Sequence, residues 1–403
     1  MIYIPKKFVA TCLLNFLVAA LLGLLLRYAM VGEIGINYRF LTHAHSHVAM
    51  LGWVYLMLFT FFLYYFVPYK GRVYNRLFWL TQLSVLGMMF SFPFQGYAAV
   101  SISFSTLHIL CSYAFAYRIW KDLKINNPLV ESFVRWALVF MVLSTVGVWC
   151  LGPAVGLMGK TSAFYQIAIQ CFLHFQFNGW FLFAVIAVLF HQLNIEKTKT
   201  SKVFLYVLIA ATICTLALPV QWFAPHGTLP YINAIGVVLQ LIALYYFLKL
   251  IKIPYRTIIV KHQKILRVLY AFSLGCFILK MVLQTTAVIP NFSITLIYHK
   301  NFIIGFIHLM MLGVISGFLF AFLIFSKTIK PSRIFKLGIY SFLIGFSLTE
   351  LLLAYQGGLL YFGMGQLQQY HQLLFWSSMF LPLGIAIIST SYLKQKHYVQ
   401  QTS

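Results

Sequence analysis

The chain alternates long apolar blocks with short polar ones. Twelve apolar stretches stand out, at roughly 8–29, 44–66, 75–97, 99–119, 133–156, 164–190, 203–224, 230–250, 265–289, 300–325, 335–356 and 370–393. Each is long enough for a helix to cross about 30 Å of hydrocarbon, which takes around 20 residues. The alternating segments of about ten residues that a transmembrane β-barrel needs are absent. Loops are short, and the longest polar stretches lie near 120–131, 191–202 and 252–267. The pattern predicts an all-α membrane protein, a single twelve-helix transmembrane domain over residues 1–403. Lys6 and Lys7 ahead of Phe8–Leu26 mimic a cleaved leader. The apolar run is too long for one and no small-residue cleavage site follows, so it is expected to be the first span.

Composition works by exclusion. Apolar and aromatic residues make up 62% of the chain and charged ones only 8%, against about 25% charged in a soluble domain. A soluble globule could not cover its surface with so few charges, so the implied surroundings are a lipid bilayer. The net charge of +24 suggests nucleic acid until its distribution is seen. With the N-terminus inside, 24 of the 29 basic residues, from Lys6 to Lys396, fall on the inner side, and Arg27, Arg39, Lys160, Lys280 and Lys300 remain in the outer half. That asymmetry is the positive-inside rule obeyed loop by loop. It places both termini inside, leaves no role for nucleic acid, and suits a bacterial inner (cytoplasmic) membrane. The six cysteines are scattered through spans without a close pair and read as small buried apolar residues.

An internal repeat carries the first chemical information. Span 2 contains His47-Val48-Ala49-Met50-Leu51-Gly52 and span 10 contains His308-Leu309-Met310-Met311-Leu312-Gly313. Span 6 has a looser copy, His174-Phe175-Gln176-Phe177-Asn178-Gly179-Trp180, which keeps the histidine–glycine spacing and the Gly-Trp of Gly52-Trp53. The three histidines are 127 and 134 residues apart. Twelve helices thus divide into three units of four, with pseudo-repeats at about 1–125, 126–260 and 261–403.

Nine of the twelve histidines (His43, His45, His47, His108, His174, His226, His299, His308 and His371) fall in or beside the outer halves of spans. His191, His262 and His397 sit with the inner basic loops. Ionisable residues within a membrane are costly and usually face a cavity, a partner or a cofactor. A lone membrane histidine is most simply a neutral ring bonded to a neighbouring carbonyl. A layered set points instead to a metal or haem, for which neutral imidazole is the standard ligand. The glycine five residues after each repeat histidine lets either a flat macrocycle or another helix approach the backbone. His43 and His47 are one turn apart and share a face, whereas His45 points away. That pair suits a single metal ion, or a haem ligand with its supporting ring.

With these motifs in place, the chain resembles subunit I of the haem–copper oxidase and nitric oxide reductase superfamily. That fold has twelve helices in three four-helix arcs, a low-spin haem between histidines of helices 2 and 10, and a copper or non-haem-iron ligand on helix 6. The resemblance implies that His47 and His308 bind a b-type haem, with His45 an alternative on span 2 and Gly52 and Gly313 beside it. It implies a second metal, copper or non-haem iron, held by His174 with His43, His108, His226, His299 or His371. It further implies a cytochrome or quinol as electron donor, and electron transfer or nitric oxide chemistry in the outer half of the membrane. NnrS-type haem-and-copper membrane proteins, linked to nitric oxide tolerance, share the twelve spans and a His-Ala-His element like His43-Ala44-His45; they are next most similar and imply instead a nitric oxide response protein without turnover.

The sequence departs from the family in ways that bear on activity. The second helix-10 histidine is absent, since positions 306 and 310 are Phe306 and Met310. The helix-7 histidine pair is missing, with His226 the nearest candidate, and Asn178 replaces the helix-6 tyrosine. Oxygen reduction and proton pumping are therefore expected to be absent or weak. Of the five acidic residues only Glu350 lies well inside a span, at a depth similar to Lys280. Lys280 either pairs with Glu350 or joins Arg27 and Arg39 in facing haem propionates. A reading of another class is a twelve-span metal or solute transporter without a fixed cofactor.

Overall fold

A computed structural model describes residues 4–395, so Lys396 and His397 lie outside the described residues. Within that range the chain is helical, and twelve helices are long and apolar enough to cross a membrane. They are α1 (Lys6–Tyr28), α2 (Tyr38–Phe66), α3 (Arg72–Gln95), α4 (Ala99–Asp122), α5 (Pro128–Met158), α6 (Ala163–Gln192), α7 (Lys199–Phe223), α8 (Leu229–Lys261), α9 (Lys264–Val288), α10 (Lys300–Phe325), α11 (Arg333–Tyr361) and α12 (Tyr370–Lys394). A short helix, Pro290–Tyr298, joins α9 to α10.

Local signals explain where helices begin. The Asn37 side chain accepts from the backbone N–H groups of Arg39 and Phe40, and α2 starts there. Asn127 caps α5 in the same way, with Pro128 in the first turn, where its missing N–H costs nothing. Ser162 caps α6, and Thr198 with Ser201 forms a reciprocal capping box on α7. The first residues of α2, Tyr38–His43, are polar enough that hydropathy alone starts the span at 44. At the other extreme α8 runs past 250 through its basic end to Lys261.

Three helices differ from the other nine. The most apolar stretches of α2, α6 and α10 are 83%, 78% and 83% buried, whereas the other spans reach 39–50%. These are the three helices that carry the histidine–glycine repeat. A helix that is apolar all round belongs in the interior, and Leu56–Leu63 of α2 and Leu182–Phe190 of α6 are of this kind. Elsewhere apolar side chains such as Leu14, Phe90, Phe94 and Leu351 are exposed, as suits helices that meet lipid on one side.

By contact the chain divides into two compact units. One holds the chain up to Phe115, Leu323–Gln356 and the chain from Gly365 onward; the other holds Ala116–Phe322 and Gly357–Met364. The His47 copy of the repeat lies in the first unit, and the His174 and His308 copies lie in the second.

In the first unit α1 packs on α2 and α12, and α2 on α3. Its core is aromatic: Phe8 stacks on Phe78 at 3.8 Å, Phe16 on Trp53 at 4.5 Å and Phe59 on Phe115 at 4.3 Å. Such pairs add to the burial of their large ring surfaces. In the second unit α5 packs on α6, α7 on α8 and α9 on α10. Phe133, Phe190, Phe204 and Phe247 run through it as a chain of ring contacts at 5.3–5.7 Å. Small residues set the closest approaches. A Cβ on Gly147 of α5 would strike the Ala168 carbonyl of α6, and one on Gly384 of α12 would lie 2.6 Å from the Phe342 nitrogen of α11. Close backbone contact of this type supplies the van der Waals packing that holds membrane helices together.

Candidate functional site

Each repeat histidine is the last residue before a widened, π-helical turn. His47 precedes Val48–Tyr55, His174 precedes Phe175–Phe181 and His308 precedes Leu309–Ser316. A π-helical turn places one extra residue in the helix, displaces backbone hydrogen bonds from their ordinary partners, and is frequent at functional sites. Side chains bond at each of these turns, to a backbone carbonyl in α2 and α10 and to a side chain in α6. Asn15 of α1 donates to the Gly52 carbonyl at 2.9 Å and to Gln82 Oε1 of α3 at 2.7 Å, and Gln82 donates back to Asn15 Oδ1 at 3.1 Å. In α10 the Ser316 hydroxyl donates to the Met311 carbonyl at 2.7 Å. In α6, Gln176 donates to the Ser144 hydroxyl of α5 at 3.0 Å. Asn15, Gln82 and Gln176 are candidates that motif reading passes over. Their signal is an amide within an apolar span, where only an internal partner can satisfy it.

The α2 histidines separate by face as their spacing requires. His45 turns to α1, with Nδ1 2.8 Å from the Ala19 carbonyl and its ring against Gly23. A carbonyl only accepts, so Nδ1 of neutral His45 carries the proton. His43 and His47 turn together to α3 and the turn that follows it. The His43 ring lies 4.7 Å from Tyr97, and the His47 ring 4.5 Å from Phe92.

His47 has the geometry of a ligand. Its Nδ1–H donates to the His43 carbonyl at 2.8 Å. That leaves the lone pair on Nε2, which accepts from the Tyr97 hydroxyl at 3.2 Å. A neutral imidazole whose Nδ1–H is held by a carbonyl is the usual preparation for binding metal through Nε2. The donor chemistry at His47 therefore fits a haem iron or another metal, on condition that Tyr97 yields its contact. His108 is buried beside this group, its ring edge-on to Tyr55 at 4.7 Å and its Nε2 without a hydrogen-bond partner.

Glycine packing decides between the two uses weighed for the repeat. A Cβ at Gly52 would lie 2.9 Å from Val85 and 3.0 Å from Asn15, and one at Gly179 would lie 2.6 Å from Phe140. Both glycines are filled by neighbouring helices, so their structural role is helix approach. Gly313 is buried in the corresponding turn of α10.

The second unit arranges its histidine differently. His174 is buried, and its Nε2–H donates to the Thr212 carbonyl of α7 at 2.7 Å. Donation through Nε2–H leaves Nδ1 as the acceptor atom, the arrangement of His47 with the two nitrogens exchanged. Among the described residues no three His, Cys, Asp or Glu side chains group to hold a metal. Among the described residues His174 therefore stands without the group of further donors that a protein-held second metal needs. Nor do its remaining helpers converge: His226 is exposed in a loop and bonded to Thr228 at 2.9 Å, His299 sits in the turn before α10, and the His371 ring lies against its neighbour Tyr370. His308 is half-buried at the end of the first turns of α10.

The cations part company. Arg39 is exposed in the first turn of α2. Arg27 is half-buried at the end of α1, within electrostatic reach of Tyr370, Tyr38 and Glu350. Lys280 is fully buried in α9 with no hydrogen-bond or ionic partner, its Nζ 6.0 Å from the Phe306 ring centre.

The class of protein follows from these observations: an all-α, twelve-span integral membrane protein that lies in a lipid bilayer. No protein-family model matches the sequence, and no curated protein matches it.

Proposed function

We propose that this is a haem-binding membrane protein serving electron transfer or nitric oxide chemistry, with His47 and His308 as the haem ligands. The observation that carries the reading is the repeated histidine at the head of a π-helical turn, joined at His47 to a hydrogen bond that leaves Nε2 as the donor atom. A bound haem iron would supply one-electron chemistry and affinity for nitric oxide. The chain's own part is to hold His47 in one tautomer through the His43 carbonyl and to keep the ring among Phe92 and Tyr97. Arg27 is the half-buried cation of the first unit suited to a haem carboxylate. The electron donor is proposed to be a cytochrome or quinol, and the location a bacterial inner membrane.

Sustained oxygen reduction is not part of this proposal, because the histidines and tyrosine of the family's oxygen site are missing from the sequence. The test is the visible spectrum of purified His47→Ala and His308→Ala proteins. Loss of a six-coordinate low-spin signature in both supports the assignment, and its retention in both overturns it.

A second reading, a twelve-span solute transporter, is favoured by one observation. Lys280 is a buried ionisable residue with no partner, and within membrane spans such residues mark substrate paths.

A further inference from the structure

Lys280 is the most anomalous residue in the second unit. Its side chain is fully buried, and Nζ has neither a hydrogen-bond nor an ionic partner. The Phe306 ring of α10 has its centre 6.0 Å from Nζ. A cation–π contact at that distance offsets only part of the cost of burying an ammonium. The residue also sits on a polar seam between α8 and α9. One turn further along α9, Gln284 accepts from Gln240 of α8 at 2.9 Å, and Asn233 of α8 reaches the Ala287 carbonyl at 3.4 Å. Gln240 Oε1 and Asn233 Oδ1 are buried with no donor of their own. Lys280 and these amides thus place an unpartnered amine and two unpartnered amide oxygens on neighbouring turns of one helix pair.

We propose that Lys280 binds a small monovalent anion of carboxylate type within the second unit, the charge of the guest neutralising that of the ammonium. A carboxylate accepts two or more of the three ammonium hydrogens, and its hydration shell meets the unpaired amide oxygens of the seam. The proposal rests on Lys280 and its surroundings and stands apart from the haem reading. The carboxylate has two possible sources, a free anion or a haem propionate.

Thermal unfolding of the purified protein, with haem content measured on the same sample, tests it with formate as the probe. Formate is titrated at constant ionic strength against wild type, Lys280→Arg and Lys280→Gln. A saturable rise in Tm in wild type and Lys280→Arg, absent in Lys280→Gln, supports a free-anion site. No formate response in wild type, with haem lost from Lys280→Gln and kept in Lys280→Arg, supports a haem carboxylate as the guest. Equal responses in all three proteins, or no response with equal haem content, overturn the proposal. A colourless preparation refutes the haem reading yet leaves the formate titration fully interpretable. Should Lys280→Gln fail to fold, an infrared difference spectrum of wild type with 13C-formate must show a saturable bound-carboxylate band, and its absence overturns the proposal.

Discussion

The Nδ1–H of His47 donates to the carbonyl of His43 one helical turn earlier, at 2.8 Å. This bond fixes the tautomer and directs Nε2 to the Tyr97 hydroxyl 3.2 Å away. Removing the hydroxyl leaves the ring and its orientation in place. Tyr97→Phe is therefore expected to retain any low-spin haem signature, with a changed affinity for added haem of no more than about tenfold, or 1.4 kcal/mol. His47→Ala is expected to lose the signature. Haem titration of the two variants, followed by absorbance, checks both outcomes.

His45 faces the α1 backbone, away from the His43–His47 side of α2. It spends Nδ1–H on the Ala19 carbonyl at 2.8 Å and packs its ring against Gly23. His45→Ala is expected to lower stability by about 1–3 kcal/mol through a lost bond and an orphaned carbonyl, while the spectrum of the protein is unchanged. Thermal unfolding and absorbance on one preparation separate the two effects.

The buried amides Asn15 and Gln82 act as a pair, joined by bonds of 2.7 and 3.1 Å. Replacing one by Leu strands the other in an apolar core, which costs about 1–3 kcal/mol. The double substitution removes both ends of the pair, although the Gly52 carbonyl then loses its donor. A double-mutant cycle of unfolding midpoints should show a loss smaller than the sum of the single losses. Strict additivity would mean that the pair is not coupled.

Glycine substitutions should sort by what a Cβ would meet. Gly147→Ala runs into the Ala168 carbonyl and Gly52→Ala into Val85 and Asn15, whereas nothing lies within 4 Å of a Cβ at Gly275. The first two are expected to lose about 1–3 kcal/mol. Gly275→Ala should be neutral or gain about 0.5–1 kcal/mol from helix propensity. Comparison of unfolding midpoints for the three proteins decides it.

Reporter fusions test the orientation read from the basic residues. Fusions in the loops near residues 125 and 260 are expected to read cytoplasmic and one near 227 to read outside. The reverse at any of these loops breaks the topology.

The spans were legible because hydrophobic length is a direct physical requirement of the bilayer. Their ends were less so. Hydropathy does not register a polar first turn such as Tyr38–His43 or a basic last turn such as that of α8, and the caps Asn37, Asn127 and Ser162 mark the true starts better than composition does. The histidine–glycine repeat was visible as a pattern, and the faces of His43, His45 and His47 followed from helical spacing. The π-helical turns could not be read, since nothing in an apolar run such as Leu309–Ser316 announces one extra residue per turn. The same limit hid the roles of the glycines. Sequence shows a small residue, but only packing shows that Phe140 fills the space at Gly179. Histidines that share a depth need not converge. His174 and His226 both lie toward the same ends of their spans, yet one is buried on a carbonyl and the other lies in an exposed loop.

The central claim is that this membrane protein carries haem. The most direct test is a reduced-minus-oxidised visible difference spectrum of the purified wild-type protein, with iron and copper counted on the same sample. The sharp bands of a low-spin b-type haem are expected, with iron in stoichiometric amount and no matching stoichiometric copper. A colourless protein without iron would contradict it.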